Sequence, residues 1–248
     1  DKVIYLFEPK KGWPAARNRG IKFSRAPIVA NIDSDCFAER TWLRTLVEEL
    51  VKDPRIGGVV GRTKVEEGRT LAERYYAQSD PFNFERYLNS PIVPWGGGNN
   101  AYRREVFEEV GYYDAENYTS GADAEFHYRM KTKTNYVMKY VPEACIYHVA
   151  RGSIKEFFKQ GVKYTHDGVL NRFRCPYFSR NYDHYLLKKT KAIVINLMGF
   201  WYRLLKLTIG RETELRVVEP LFDTVTLIGN IYGYLKAQMA ISKTFKKD

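Results

Sequence analysis

No stretch of this chain is an uninterrupted apolar run of about 20 residues, the length that a membrane-crossing helix needs. Cysteine is scarce as well: Cys36, Cys145 and Cys175 are odd in number and far apart. That excludes a disulfide framework and a Cys-x-x-Cys metal site, and it fits a reducing, cytosolic setting. The sequence has no initiator Met and no charged-then-apolar targeting segment. It opens instead on the apolar stretch Val3–Phe7, which reads as a strand. An upstream strand and helix are therefore expected before Asp1, an ordinary edge strand at a true terminus being the alternative. Acidic residues run short in one part only. Residues 1–150 carry 22 Lys+Arg against 21 Asp+Glu, whereas residues 151–248 carry 18 against 8. The basic character thus belongs to the C-terminal part, where it can serve an anionic membrane surface, phosphorylated substrates or nucleic acid.

What is present supports a folded protein. The 248 residues are 44% hydrophobic, which is enough for a substantial core. Lys11-Gly12-Trp13-Pro14 reads as a turn into a helix, and Ile28–Ile32 as a strand. Trp42, Leu43, Leu46, Val47 and Leu50 fall at helical spacing, and Ile56–Val60 is again a strand. Strand–helix alternation predicts an α/β fold with a mostly parallel sheet. Further helices are expected over 69–89, interrupted by Pro81, over 105–110, and from Gly121 onward. Two short strands, 135–141 and 144–148, follow.

Directly after the strand at 28–32 stand Asp33-Ser34-Asp35. Two carboxylates at a buried strand end suit Mg²⁺ or Mn²⁺ held against a diphosphate, because these ions take oxygen ligands and leave the rest of their shell to water and phosphate. A solvated turn is the alternative. Gly96-Gly97-Gly98 lets backbone approach a ligand closely, or makes a plain turn. Asp123 sits near a helix N-terminus, where the dipole alone favours an acid.

In order and spacing these pieces resemble glycosyltransferase family 2, the inverting nucleotide-sugar enzymes with the GT-A fold. The resemblance covers about residues 3 to 170. It rests on Ala16-Arg17-Asn18-Arg19-Gly20, on Asp33-Ser34-Asp35, on Gly97-Gly98-Asn99-Asn100-Ala101-Tyr102-Arg103-Arg104 with Val110–Asp114, on Gly121-Ala122-Asp123-Ala124-Glu125 with Arg129, and on Pro142-Glu143-Ala144 with His148. It implies that Asp33 contacts the nucleoside and that Asp35 holds the divalent cation on the donor diphosphate. His148 matches a position that completes the metal site in some members. Asp123 matches the general base that deprotonates the acceptor hydroxyl. Arg17, Asn18, Gly97, Gly98, Asn99 and Asn100 are expected around the donor, a nucleotide-diphosphate sugar. Glu125, Arg129, Gln160, Lys163 and Tyr164 are expected on the acceptor side. The chain departs from the family at Ala122, where a Glu is usual, and in showing no first strand before Asp1.

The expected organisation is a GT-A core over 1–150, an acceptor-side helical segment over 151–183, and basic, hydrophobic membrane-associated helices over 184–248. In 191–207 the residues Asn196, Gly199, Arg203 and Lys206 make one polar stripe. In 221–237 Asp223, Thr226, Asn230 and Gly233 make another. The wide apolar faces left over suit helices lying in a membrane surface. A hairpin packed on the core, or a dimer contact, is the alternative. The combined expectation is a metal-dependent inverting glycosyltransferase, cytoplasmic and peripheral on the inner face of the cell membrane, acting on a lipid-linked or cell-envelope glycan acceptor. The other reading is a non-catalytic nucleotide-sugar or glycan-binding subunit of an envelope assembly. No recognition motif for nucleic acid accompanies the basic tail.

Overall fold

The computed structural model describes residues 3–66, 68–88, 96–150, 152–175 and 182–244. Trp95, which opens the glycine run in the sequence, lies outside the described residues, as does Asn89. The chain divides into two compact units, one of residues 1–64 and 82–149, the other of residues 65–81 and 150–248.

The first unit is a sheet with helices. Helix α1 (Trp13–Phe23) starts with Pro14 in its first turn, where a missing N–H costs nothing, and buries Pro14, Ala15 and Ile21. Strand β1 (Ile28–Ile32) runs into the Asp33–Asp35 turn, and β2 (Cys36–Ala38) leaves it. Helix α2 (Trp42–Val51) buries Trp42, Leu46 and Leu50, one residue per turn along a single face. They pack against Ile56 and Val59 of β3 (Ile56–Val65), Ala101 of β4 (Asn99–Arg103), and Val141, Ala144 and Ile146 of β5 (Val137–His148). Each fully buried leucine of this face is worth about 2 kcal/mol of transfer free energy. Helices α4 (Arg104–Val110) and α5 (Ala122–Lys133) complete the unit. Among the described residues the strand order is β1-β4-β3-β5-β2.

The α/β class and the helical C-terminal region are as expected, but the pairing differs. The β1–β4, β3–β4 and β2–β5 pairs are all antiparallel. Since β1 and β3 both oppose β4, they run in the same direction, as a strand–helix–strand crossover requires. A strand from much later in the chain has inserted between them, and no local pattern announces that. Residues 3–9 form no strand: Val3, Tyr5 and Phe7 are exposed, with no ladder partner among the described residues. The two strands expected around Pro142 are one continuous β5. The helical stretch expected over 69–89 is α3 (Leu71–Ser79) followed by a 3₁₀ turn, Phe84–Tyr87.

The second unit is helical. Both α3 and α6 (Ile154–Asn171) begin with a capping box, Thr70 with Glu73 and Ser153 with Glu156, so the first orphan N–H groups of each helix are satisfied. Helices α7 (Tyr185–Thr208) and α8 (Glu214–Thr244) follow. Tyr75, Phe157 and Phe222 form an aromatic contact between α3, α6 and α8, with ring centroids 4.9–5.4 Å apart. The α6–α8 contact is close enough to need glycine. A Cβ on Gly161 would lie 2.5 Å from the Thr226 carbonyl, and one on Gly233 would lie 2.4 Å from that of Val162. Pro220 lies inside α8 and cannot bond the Arg216 carbonyl; Arg203 of α7 donates to that carbonyl instead, at 2.7 Å, and to the Glu219 carboxylate at 2.6 Å. No described helix is long and apolar enough to cross a membrane.

Candidate active site

The Asp33–Asp35 turn is fixed by backbone at both ends. Asp33 N–H donates to the Gly98 carbonyl at 3.2 Å, and Val149 N–H donates to the Asp35 carbonyl at 3.0 Å. The turn is thereby tied to the glycine run on one side and to the end of β5 on the other. On the glycine side, Arg17 forms an ion pair with the Asp33 carboxylate. Its guanidinium lies over the Trp13 ring, 4.6 Å from the centroid, and Trp13 in turn meets Tyr113 edge-on at 5.3 Å. A Cβ on Gly98 would fall 2.1 Å from an Asp33 oxygen, and one on Gly97 would fall 2.5 Å from Arg17 Nη1 and 3.3 Å from Asp123 Oδ2. Only glycine lets backbone pass between these charged groups.

On the β5 side, Cys36 pairs with His148 across the β2–β5 ladder. His148 Nε2 lies 3.3 Å from Asp35 Oδ2, and its Nδ1 lies 2.5 Å from the Val149 carbonyl. A carbonyl only accepts, so Nδ1 carries the proton. In the neutral ring Nε2 then presents its lone pair toward Asp35, the tautomer of a metal-binding histidine. Ligand atoms of Asp35, Cys36 and His148 all lie within 4.8 Å of one another. The carboxylate and imidazole suit a divalent cation such as Mn²⁺, whereas a protonated thiol does not add to that site. Burial, then the charges of Asp33 and Asp35, push the Cys36 thiol up to about 12.

Asp123 stands in the first turn of α5, after Gly121 in a left-handed conformation (φ 83°), and accepts the Ala124 N–H at 2.9 Å. Burial raises its carboxyl above the usual range, while the Ala124 N–H and Arg17 pull the other way. Ala122 is fully buried, so a longer acid there would bring its carboxylate into the core. Behind Asp123, Tyr102 and His127 share a buried hydrogen bond of 2.5 Å, with burial lowering the His127 ring to about 3 and keeping it neutral.

Several residues expected at the ligand are engaged inside the protein. Asn18 donates to the Tyr113 carbonyl at 2.7 Å and accepts its N–H at 3.0 Å. Asn100 donates to the carbonyls of Gly97 at 2.8 Å and Gly96 at 3.2 Å. Asn99 accepts from Trp42 Nε1 at 2.7 Å and donates to the Arg62 carbonyl at 2.9 Å. Their amides shape the glycine run and the loop at 111–114. Glu125 and Arg129 pair through two bonds, of 2.5 and 2.9 Å, and Arg129 also covers the carbonyls of Val110 and Tyr112 beyond the end of α4. Gln160, Lys163 and Tyr164 lie on α6, in the helical unit, with Lys163 and Tyr164 exposed. Sequence reasoning missed Trp13, although it stands one turn before Arg17 on the same helix, and it missed Cys36, although that residue directly follows the Asp pair.

Residues 1–111 match the family model described as glycosyl transferase family 2. This part of the chain is similar to that family. Among its relatives, a glucosyl-dolichyl phosphate glucuronosyltransferase of Haloferax volcanii is 29% identical over 120 residues, covering 46% of this chain and 38% of the relative. The probable glycosyltransferase YdaM of Bacillus subtilis is 23% identical over 205 residues, 77% of this chain and 45% of the relative. The chain thus spans less than half the length of either. A solved mannosyltransferase of Pyrobaculum calidifontis, in complex with GDP-Man and Mn²⁺, shares the fold at a TM-score of 0.51 and 16% identity, covering 90% of this chain and 67% of that one.

Proposed function

We propose that this chain is an inverting glycosyltransferase that moves a sugar from a nucleotide-diphosphate donor to a lipid-linked or cell-envelope glycan acceptor at the inner face of a cell membrane. The observation that carries the reading is the glycine run threading between the Arg17–Asp33 pair and Asp123. It gathers a guanidinium and two carboxylates along one stretch of backbone, the charges that a diphosphate donor and an attacking hydroxyl call for. The solved neighbour's GDP-Man and the dolichyl phosphate in the name of the Haloferax relative support the donor and acceptor classes.

In this reading Asp33 receives the nucleoside and Arg17 holds the Asp33 carboxylate in place, with its own charge near the donor. Asp35 and His148, with Cys36 beside them, would hold Mg²⁺ or Mn²⁺. The cation supplies charge to offset the departing diphosphate. Asp123 takes the proton from the acceptor hydroxyl as that oxygen attacks the anomeric carbon and the bond to the diphosphate breaks, inverting the centre. The acid-raised carboxyl suits a base, being more basic than an ordinary carboxylate. Asn18, Asn99, Asn100, Glu125 and Arg129 act by positioning.

The test incubates the full chain with UDP-, GDP- and dTDP-sugars, Mn²⁺ and polyprenyl-phosphate or glycan acceptors, and follows release of nucleoside diphosphate together with transfer. Turnover with one donor, lost in both Asp35→Ala and Asp123→Asn, is the expected result. Wild-type rates in both variants would overturn the mechanism. Metal-dependent nucleotide binding without transfer to any acceptor would favour the binding-subunit reading.

A further inference from the structure

In water an amphipathic helix turns its apolar face to the protein and its polar stripe to the solvent. Helix α7 turns much of its apolar surface outward, and α8 part of its own. Beside the buried Val217, Phe222 and Ala237, part of the α8 surface that meets its neighbours is polar and small: Asn230 accepts from Thr165 at 3.0 Å, and Gly233 lies against the Val162 backbone. Ile228, Tyr232, Leu235 and Met239, spaced along another face, are exposed. On α7 the polar residues Asn196, Arg203 and Lys206 are half-buried, with Arg203 bonded to α8, whereas Met198 and Trp201 are 68% and 67% exposed and Leu205 is exposed too. No residue of this 24-residue helix is buried.

Packing by glycine and hydrogen-bonded polar groups, with apolar side chains outward, is how helices associate in lipid, where there is no hydrophobic gain in hiding a leucine. An apolar face of this length is uncommon on a soluble monomer. Its charge selects among occupants. Lys188, Lys189 and Lys191 near the start of α7 and Lys206 near its end flank this face, and α7 contains no Asp or Glu. Basic groups flanking an apolar, Trp-bearing face match the headgroups and acyl boundary of an anionic bilayer. A protein partner would need its own acidic, apolar counterpart. At 1.5 Å per residue α7 is about 36 Å long, yet it is not apolar enough to span.

We infer that α7 docks this protein on an anionic lipid membrane, lying in the surface with Met198, Trp201 and Leu205 in the acyl boundary and its lysines among the headgroups. The exposed stripe of α8 adds apolar contact. The inference names the membrane partner of the proposed function, but its test needs no catalysis.

The test floats the full chain with vesicles of phosphatidylcholine alone and of phosphatidylcholine with phosphatidylglycerol, and repeats the second with brominated lipid. The wild type is expected to float with the anionic vesicles, more weakly with neutral ones, and to lose Trp emission to bromine. Trp201→Phe should remove that quenching while leaving flotation. Leu205→Asp, at an exposed site that folding does not need, should lower partitioning at least about tenfold, since one such side chain is worth more than a decade. Circular dichroism checks that both variants stay helical. Three results would overturn the inference: wild type that stays in the soluble fraction with both vesicles, Leu205→Asp that floats like wild type, or a lipid-free dimer that Leu205→Asp converts to monomer. Asp123→Asn should float unchanged, so loss of transfer and loss of membrane binding are read separately.

Discussion

Hydrogen-bonded polar groups do opposite work in the two units. In the sheet unit Asn99 and Asn100 are buried and Asn18 half-buried, and they spend their amides on backbone carbonyls. The surface they leave is polar and charged, with Asp33 and Asp35 at its edge. In the helical unit Asn230, Thr165 and Arg203 join helices whose apolar side chains point outward. Apolar side chains line the core of the first unit, and many face outward in the second. That contrast is a division of labour, and it can be broken one side at a time.

The largest effect is expected in the sheet unit alone. Asp123→Asn keeps an oxygen for the Ala124 N–H but cannot accept the acceptor's proton, so kcat should fall about 10²- to 10⁴-fold with vesicle binding intact and no loss of melting temperature. In wild type the rate should fall on the acid side at a higher pH than an ordinary carboxylate would give, because burial raises this carboxyl and only its ionised form is a base. A kcat/KM profile against pH measures this; an acid limb at the ordinary carboxylate position would remove Asp123 from the role.

Next comes the cation. Asp35→Ala should weaken Mn²⁺ binding, measured by calorimetry with nucleoside diphosphate present, by about 100-fold, and His148→Ala by about 10- to 100-fold. Equal Mn²⁺ affinity in all three proteins would separate the turn from metal binding. Neither substitution should alter flotation.

How much of this was legible follows the range of the interactions. Trp42, Leu46 and Leu50 announced α2 because a helix is a local pattern, and Asp33-Ser34-Asp35 announced a site because three adjacent residues carry it. The β1–β4 pairing joins Ile28 to Arg103 across most of the unit, and nothing near either residue encodes it. Asn18 and Asn100 were expected around the donor through the family resemblance, yet the same amide chemistry serves a ligand or a backbone carbonyl, and their bonds here go to backbone carbonyls. For α8 the stripe of Asp223, Thr226, Asn230 and Gly233 was correctly drawn, but periodicity says which residues share a face and not which medium that face meets.

The glycines sharpen the comparison at smaller amplitude. Gly233→Ala forces a Cβ to 2.4 Å from the Val162 carbonyl, so α6 and α8 must part, at a cost of about 1–3 kcal/mol. Gly199→Ala, in α7 with nothing within 4 Å of its Cβ, should stabilise by roughly 0.5–1 kcal/mol through helix propensity. Thermal unfolding of the two variants gives opposite signs if α8 is packed by its small residues and α7 stands free. Equal destabilisation would mean that α7 is also held at Gly199.

The smallest effect links the two kinds of burial. A carboxyl whose folded-state pKa is raised binds its proton more tightly folded than unfolded. Between the ordinary value and the raised one the native state therefore holds more protons, and stability falls as pH rises through that window. Above it the Asp123 carboxylate is a standing cost to the sheet unit, offset in part by the Ala124 N–H and Arg17. Asp123→Asn removes the charge and keeps the shape, so its melting temperature should lie slightly above wild type at neutral pH. The difference should shrink as pH drops through the window and the wild-type group becomes neutral too. A catalytic variant that is dead yet more stable would show that the site holds its base at the expense of the fold. A melting temperature at or below wild type at neutral pH would mean that Asp123 is there as a structural first-turn acid.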